Sequence, residues 1–421
     1  MHRTHVSHRW WARVAGAALL MASAHVHAAE FSGQWRLTHQ AIDTNPQGPL
    51  AAAHALRSDL IDLPAAGTSV VEAELQAHWR FLQANVLLTS TTPHGMATHT
   101  QAQVQELFAN ADAGDWQFSI GRKVVSWDVG YGFRPNDVVQ QETRRTLLAV
   151  TPQGRPLLQA ETFDADTATS IVWVNPQSHQ DAPPTLSGDE AALAVRWYQR
   201  SGARDDHLFA RWGQHTRASL GAAVAWVATD ELELHASARW SQRHLTWQPT
   251  GTAPAENPWH IGMGGSATQW LVGAHWTGAQ QQGLMVEWWH DGTAMADRDW
   301  DHWRQRNTAL QQAAAQPGLP DALRSGLAGQ LAWQTTPLGG SSLRRNNVFV
   351  RASWQYEAWQ LAWDTLYMPA DHGQIGTVSA QWQADQWRLT LAWRRLGGPQ
   401  QALTSALPSR HTWLFAAVWA F

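Results

Sequence analysis

The chain closes on His411–Phe421, HTWLFAAVWAF. Trp413, Phe415, Ala417, Trp419 and Phe421 take every second position, and small or aliphatic residues stand between them. Successive side chains of a strand point to opposite faces. This period therefore puts four aromatic rings on one face of a strand and none on the other. A helix would scatter them around its circumference.

The same alternation recurs upstream. In Gln386–Arg395, Trp387, Leu389, Leu391 and Trp393 face one way, and Arg388, Thr390, Ala392 and Arg394 the other. In Glu231–Trp240, Leu232, Leu234, Ala236, Ala238 and Trp240 oppose Glu231, Glu233, His235, Ser237 and Arg239. Both runs are about ten residues long, the length a tilted strand needs to cross a bilayer. Eighteen such runs are found in the 421 residues. They begin near Phe31, Ser69, Leu82, Gln101, Asp115, Leu157, Ala168, Glu190, Asp205, Ala218, Glu231, Thr268, Gln282, Asn346, Ala358, Gln374, Gln386 and His411. Short joins follow the even-numbered runs. Long joins follow most odd-numbered ones, the largest at 41–68, 124–156, 248–267, 291–345 and 396–410. Short periplasmic turns and long extracellular loops give this asymmetry. The expected fold is all-β: one transmembrane antiparallel barrel over 29–421, with about 18 strands and 16 as the alternative count. A soluble propeller would show a blade repeat, and none is found.

Composition agrees. Tryptophan occurs 28 times, against 4 tyrosines and 10 phenylalanines. An indole ring with one N–H suits the membrane–water boundary. Lys123 is the only lysine, and cysteine is absent, which removes disulfides and thiolate metal sites. Residues 1–28 read as a signal peptide. Arg3, Arg9 and Arg13 precede an apolar run from Val14 to Ala24, and Val26 and Ala28 lead to cleavage before Ala29. The apolar run is shorter than the ~20 residues of a membrane-spanning helix. The formal net charge is −4. Loss of a segment with three arginines and no acid makes the mature chain more acidic still, which speaks against nucleic acid as a partner.

Candidate functional residues gather in Ser119–Arg145, SIGRKVVSWDVGYGFRPNDVVQQETRR. Glycines and charges crowd this stretch behind a strand. A long loop of this kind either stays outside or folds into a barrel and narrows it. In the second case Arg122, Lys123, Trp127, Asp128, Tyr131, Arg134, Asp137 and Arg144 would stand near the constriction, with Trp127 and Tyr131 as stacking surfaces for sugar rings or aromatic solutes. Alternation puts Arg196, Arg239, Glu231, Glu233, Glu287, Arg351, Asp364, Arg388 and Arg394 toward the lumen, because a charge facing lipid costs about 2–4 kcal/mol at the midplane. They would line an open pore or pair into a filled interior. The stretch GYG lacks the ending and helix of a phosphate loop. The 21 histidines form no metal-binding motif, and no cofactor is expected. Trp300, Trp303 and Leu310 have helical spacing. Pro317, Gly318 and Pro320 break that helix before a second one at Asp321–Leu331.

The terminal strand resembles the one that barrel-assembly machinery recognises in Gram-negative outer-membrane proteins. The run from Gly121 to Asp137 resembles the GR…W…G…PND region of porin-like outer-membrane barrels, including alginate-export-type and related substrate-translocating ones. Arg345–Trp382, with RNNVFVRASW and LYMPAD, is similar to them as well. The resemblance implies an eighteen-stranded porin in the outer membrane, among lipid and lipopolysaccharide, passing a polar or anionic solute, with a periplasmic transport partner as a further expectation. Exporter lumens of that type are strongly basic, whereas this chain is acidic. The alternatives are a lipid-modifying barrel enzyme, which would need a serine–histidine pair on its outer face, and an adhesive or assembly barrel acting through loop 291–345. Ser237 and His235 share a face, but it is the polar one.

Overall fold

The computed structural model describes residues 30–140, 152–175, 189–249 and 256–421. The signal-peptide segment and Arg144 lie outside the described residues. From its N-terminal end the sheet runs through β1 (Glu30–Thr44), β2 (Gly67–Trp79), β3 (Leu82–Pro93), β4 (His99–Ala113), β5 (Trp116–Lys123) and β6 (Arg155–Phe163). It continues through β7 (Thr167–Val174), β8 (Ala192–Ser201), β9 (Arg204–Gly213), β10 (Arg217–Thr229) and β11 (Leu232–Ser241). A separate two-stranded ribbon follows, β12 (His244–Pro249) with β13 (Trp259–Gly264). The sheet resumes with β14 (Ala267–Thr277), β15 (Gln282–Asp291), β16 (Asn346–Tyr356), β17 (Trp359–Met368), β18 (Gly373–Gln383), β19 (Trp387–Gly397) and β20 (Ser409–Ala420).

Every pairing in the 18-stranded sheet is antiparallel between chain neighbours, and β1 pairs with β2 on one side and β20 on the other. The sheet is therefore a closed barrel with no free edge, and the count is 18 rather than 16. Closure extends to the last residue: Phe421 and Gly33 exchange backbone hydrogen bonds of 3.0 and 3.1 Å. In hydrocarbon no water is present to take an unpaired N–H or C=O, so only such a closed ladder can cross with strands. All eighteen strands start within two residues of the positions expected from alternation.

The alternation sorts side chains as expected. On β20, Trp413 and Phe415 are exposed on the outside, whereas Leu414 and Ala416 are buried inside. On β19, Leu391 is 52% exposed and the next residue, Ala392, 3%. Tryptophans gather near both ends of the outer face. Trp226, Trp276, Trp359 and Trp387 stand near the short turns, and Trp173, Trp212, Trp240 and Trp413 near the long loops. Two aromatic belts around an apolar band are the outer surface of a membrane barrel. Among the described residues no helix is long and apolar enough to cross a membrane.

The long loops fold over one mouth. Alternation gave no sign of α1 (Pro49–Leu56) between β1 and β2, nor of the β12–β13 ribbon. The two helices expected between β15 and β16 are α2 (Asp297–Ala314) and α3 (Asp321–Trp333). Asp297 and Asp299 sit in the first turn of α2, where the helix dipole favours them. Trp300 and Trp303 bury its inner face against Trp259, Met295, Leu338, Leu343, Met368 and Leu403. Arg344, 2% exposed, bridges Asp371 at 3.0 Å and Asp297 at 3.1 Å, tying this loop to the β17–β18 connection. Loop 292–345 is thus packed onto its neighbours at the barrel mouth.

The lipid face should not tolerate charge. Leu391→Arg, at mid-strand, should lower stability by about 2–4 kcal/mol in denaturant titrations of vesicle-inserted protein. Thr390→Arg, one residue away on the lumen face, should cost much less. Equal losses would contradict the assigned faces.

Candidate functional site

The chain leaves β5 at Lys123 and rejoins the sheet at Arg155. Between them, residues 124–140 lie inside the barrel, and three kinds of contact hold them there. The first is apolar. Val125, Trp127, Val138 and Val139 are buried against inward-facing Leu157 of β6, Val172 and Val174 of β7, Ala192 and Ala194 of β8, Phe209 of β9 and Ala223 of β10. This wall carries small and aliphatic residues where a water-filled lumen would favour polar ones, because the loop covers it.

The second kind is polar. Asn136 is fully buried. Its Nδ2 donates to Ser237 Oγ at 2.9 Å and to the carbonyls of Ala222 and Ala238 at 3.1 and 3.0 Å. Ser237 Oγ donates in turn to Asp128 at 2.7 Å, and Asp128 accepts the backbone N–H of Asn136 at 2.5 Å and of Val129 at 2.9 Å. Burial pushes the Asp128 carboxyl up from its ordinary pKa, against these hydrogen bonds and the nearby Arg134. Further along, Glu287 of β15, 0% exposed, accepts the N–H groups of Tyr131 and Gly132 at 2.7 Å each and faces His235 Nε2 at 3.0 Å. Arg239 donates to the carbonyl of Pro135 at 3.2 Å. The third kind is aromatic. Phe133 stacks on Trp289 of β15, and Tyr131 on Phe349 of β16, with centroids 5.6 and 5.8 Å apart.

Two wall glycines make room for these pins. A β-carbon on Gly221 would stand 1.8 Å from Asn136 Oδ1, and one on Gly273 would stand 2.2 Å from His235 Nε2. Any larger residue at either position would displace the group that holds the loop.

Past its root, where Val124 N–H donates to Glu106 of β4 at 2.8 Å, the loop touches the β6–β16 half of the wall. The other half, β1–β4 and β17–β20, is left to the lumen. There Arg36 pairs with Glu72 at 3.3 Å, and at the border of the covered half Asp364 of β17 pairs with Arg351 of β16 at 2.8 Å. Glu74 accepts from Gln34 at 2.6 Å and Asn85 at 2.7 Å, and Arg394 donates to Thr377 at 3.0 Å.

The expected constriction residues divide by place. Tyr131, 42% exposed, stands at the loop's far reach, with the Arg351 guanidinium 5.8 Å from its ring centre. Arg134 turns back onto its own loop, donating to the Gly130 carbonyl at 2.7 Å and Ser126 Oγ at 2.6 Å. Lys123 points inward at the root, 3.1 Å from Ser119 Oγ. Trp127 is buried in the loop–wall packing, so it presents no stacking surface. Asp128 and Asp137 are likewise buried, Asp137 accepting from Ser126 at 3.1 Å. Arg122 does not face the lumen. It pairs in register with Leu107 and Pro156, shares the outer face with Phe118 and Ile120, and caps the Gly154 carbonyl at 2.8 Å.

Of the charges expected inside, Arg196, Arg239, Glu233, Arg351, Asp364, Arg388 and Arg394 fall on inward positions of their strands. Glu231 does not: β11 begins at Leu232, and Glu231 lies exposed in the preceding turn, bonded to Thr229. His235 and Ser237 are both committed to holding the loop. Asn136, Gly221, Phe349 and Trp289 were missed as site residues because their partners are remote in sequence. Among the described residues no cluster of histidines and carboxylates is placed to hold a metal ion.

No family model and no curated protein matches the chain. Solved structures do. OccAB2 of Acinetobacter baumannii superposes with a TM-score of 0.52 at 9% identity, over 94% of this chain and 98% of that one. A triple mutant of the Rhodopseudomonas blastica porin gives 0.44 at 8% identity, over 94% and 100%. At such identities the likeness is one of fold. The closed 18-stranded sheet, its apolar belt and the superposition on OccAB2 agree on the fold, a porin-like antiparallel β-barrel.

Proposed function

We propose that the protein is an outer-membrane channel in which residues 124–140 confine passage to the side of the lumen lined by β1–β4 and β17–β20. The observation that carries this reading is the Glu287 anchor. A fully buried carboxylate accepts two backbone N–H groups from a loop whose covalent roots lie on β5 and β6. A buried charge is tolerated only when it is hydrogen-bonded in this way, and a loop so bound stays where it is. The result is a fixed partial obstruction, which sets a size limit while leaving a polar wall exposed.

Bases and acids both face that wall, Arg36, Arg388 and Arg394 with Glu72, Glu74 and Asp364, and two ion pairs form there, Arg36–Glu72 and Arg351–Asp364. Opposite charges in contact cancel one another's field in the passage, so discrimination between small anions and cations should be weak. The solute we infer is small and polar, and selected by size and hydrogen bonding.

Planar-bilayer recording of the purified chain in potassium chloride tests this directly. Discrete, roughly ohmic openings with a reversal potential near zero are expected. Deleting residues 128–137 should raise single-channel conductance, and so should Gly221→Val, which dislodges Asn136 without shortening the loop. Absence of openings in wild type, or unchanged conductance in both variants, contradicts the reading.

A further inference from the structure

We propose that the lumen wall at Tyr131 is a binding site for an uncharged polyhydroxylated ring, a small saccharide, and that this is the solute class the channel passes. The inference rests on the channel reading above. It starts from Tyr131 itself. The residue is 42% exposed, although Gly130 before it is buried and Gly132 to Arg134 after it are half-buried. Phe349 stacks against it with 28° between planes, Arg351 lies over it, and its backbone N–H is fixed on Glu287. A platform ordered beforehand loses little entropy when a solute lands on it. A phenol ring combines apolar carbon with one hydroxyl at its edge, a surface that complements the C–H face of a sugar ring.

The rim beside the platform is the second observation. Arg351 Nη1 is 2.8 and 3.1 Å from the two Asp364 carboxylate oxygens. The pair presents fixed donors next to fixed acceptors and little net charge. Adjacent hydroxyls on a ring each need a donor and an acceptor, which such a pair supplies together. The same row continues across the sheet through Thr377 and Arg394 to Thr412, all in direct register.

The third observation is the composition of the uncovered wall. Below the Asp364 row comes a row of small and apolar residues, Ala362, Ser379, Ala392 and Leu414, and below that Gln360, Gln381 and Thr390. Across the lumen, Thr89 stands opposite Gln101 on β3 and β4. Neutral amides and hydroxyls thus face the passage on both sides of a small-residue row, beside the Arg351–Asp364 and Arg36–Glu72 pairs. A hydroxylated solute can exchange hydrogen bonds with water for hydrogen bonds with this wall step by step. An anion would meet no comparable excess of positive field.

The test is solute block of potassium chloride current through the full chain, with sucrose as the saccharide probe and gluconate as a hydroxylated anion. Sucrose should reduce wild-type current saturably. Tyr131→Ala should raise the half-blocking concentration about fivefold to tenfold, the scale of one lost aromatic contact, while Tyr131→Phe should keep it. Phe349→Ala, which changes no loop residue and keeps the Glu287 anchor under Tyr131, should also weaken block, and so should the joint replacement Arg351→Gln with Asp364→Asn. The proposal is overturned if gluconate blocks and sucrose does not, or if Tyr131→Ala and Phe349→Ala both leave sucrose block unchanged. In either of those outcomes potassium chloride current persists and the channel reading stands. Absence of any current overturns both.

Discussion

Everything in this molecule depends on the closing contact between β1 and β20. Eighteen strands carry a row of backbone N–H and C=O groups that nothing in hydrocarbon can satisfy. Pairing the first strand with the last, down to the bonds between Gly33 and Phe421, removes the one edge that an open sheet would leave. Once the sheet is closed, inside and outside are distinct solvents. Each strand must then send apolar residues out and leave polar ones in, and period-two alternation follows from that requirement. The unusual tryptophan content finds its place in the same scheme, in belts at the two ends of the apolar band.

Closure also creates the space in which function is set. An eighteen-stranded wall is too wide to be filled by its own side chains, so the interior is shaped by what enters it. Residues 124–140 enter from the β5–β6 connection and cover the half of the wall whose inward residues are small or aliphatic. The polar pins then fix depth and orientation: Asn136 into Ser237 beside Gly221, and Glu287 under Tyr131 and Gly132. Apolar cover and polar anchors act on the same segment, so the loop is part of the wall rather than a moving gate. At the other end of the long loops, the buried Arg344–Asp371 pair and the tryptophan cluster of α2 make a comparable fixed structure at the mouth.

The barrel was legible in the sequence because its signal is repeated eighteen times and is local. Trp413, Phe415 and Leu414 declare their faces within three residues. The loop was only half legible. Its length, glycines and charge marked it as special, yet Trp127 and Asp128, expected to line a constriction, serve to hold it against the wall. Neither length nor composition distinguishes a side chain that faces solute from one that faces the barrel. That choice is made by residues more than eighty positions away, such as Ala222, Ser237 and Glu287. Arg122, grouped with the loop, follows the alternation of β5 and points outward, and Glu231 shows where a strand boundary limits alternation. Glu231 falls one residue before its strand, and that difference in boundary decides which way its side chain points.

The central claim is that residues 124–140 lie fixed against the inner wall, and a cysteine pair tests it most directly. The chain has no cysteine of its own. A β-carbon at position 221 would stand 2.7 Å from Asn136 Cγ, so Asn136→Cys with Gly221→Cys brings two thiols within disulfide reach. Mild oxidation of the folded protein in its membrane should consume both thiols within one chain, whereas Asn136→Cys with Thr390→Cys, on the uncovered wall, should keep both free. Free thiols in the first variant, or equal cross-linking in the two, would show that the loop does not occupy this place, and the account of the passage would fail with it.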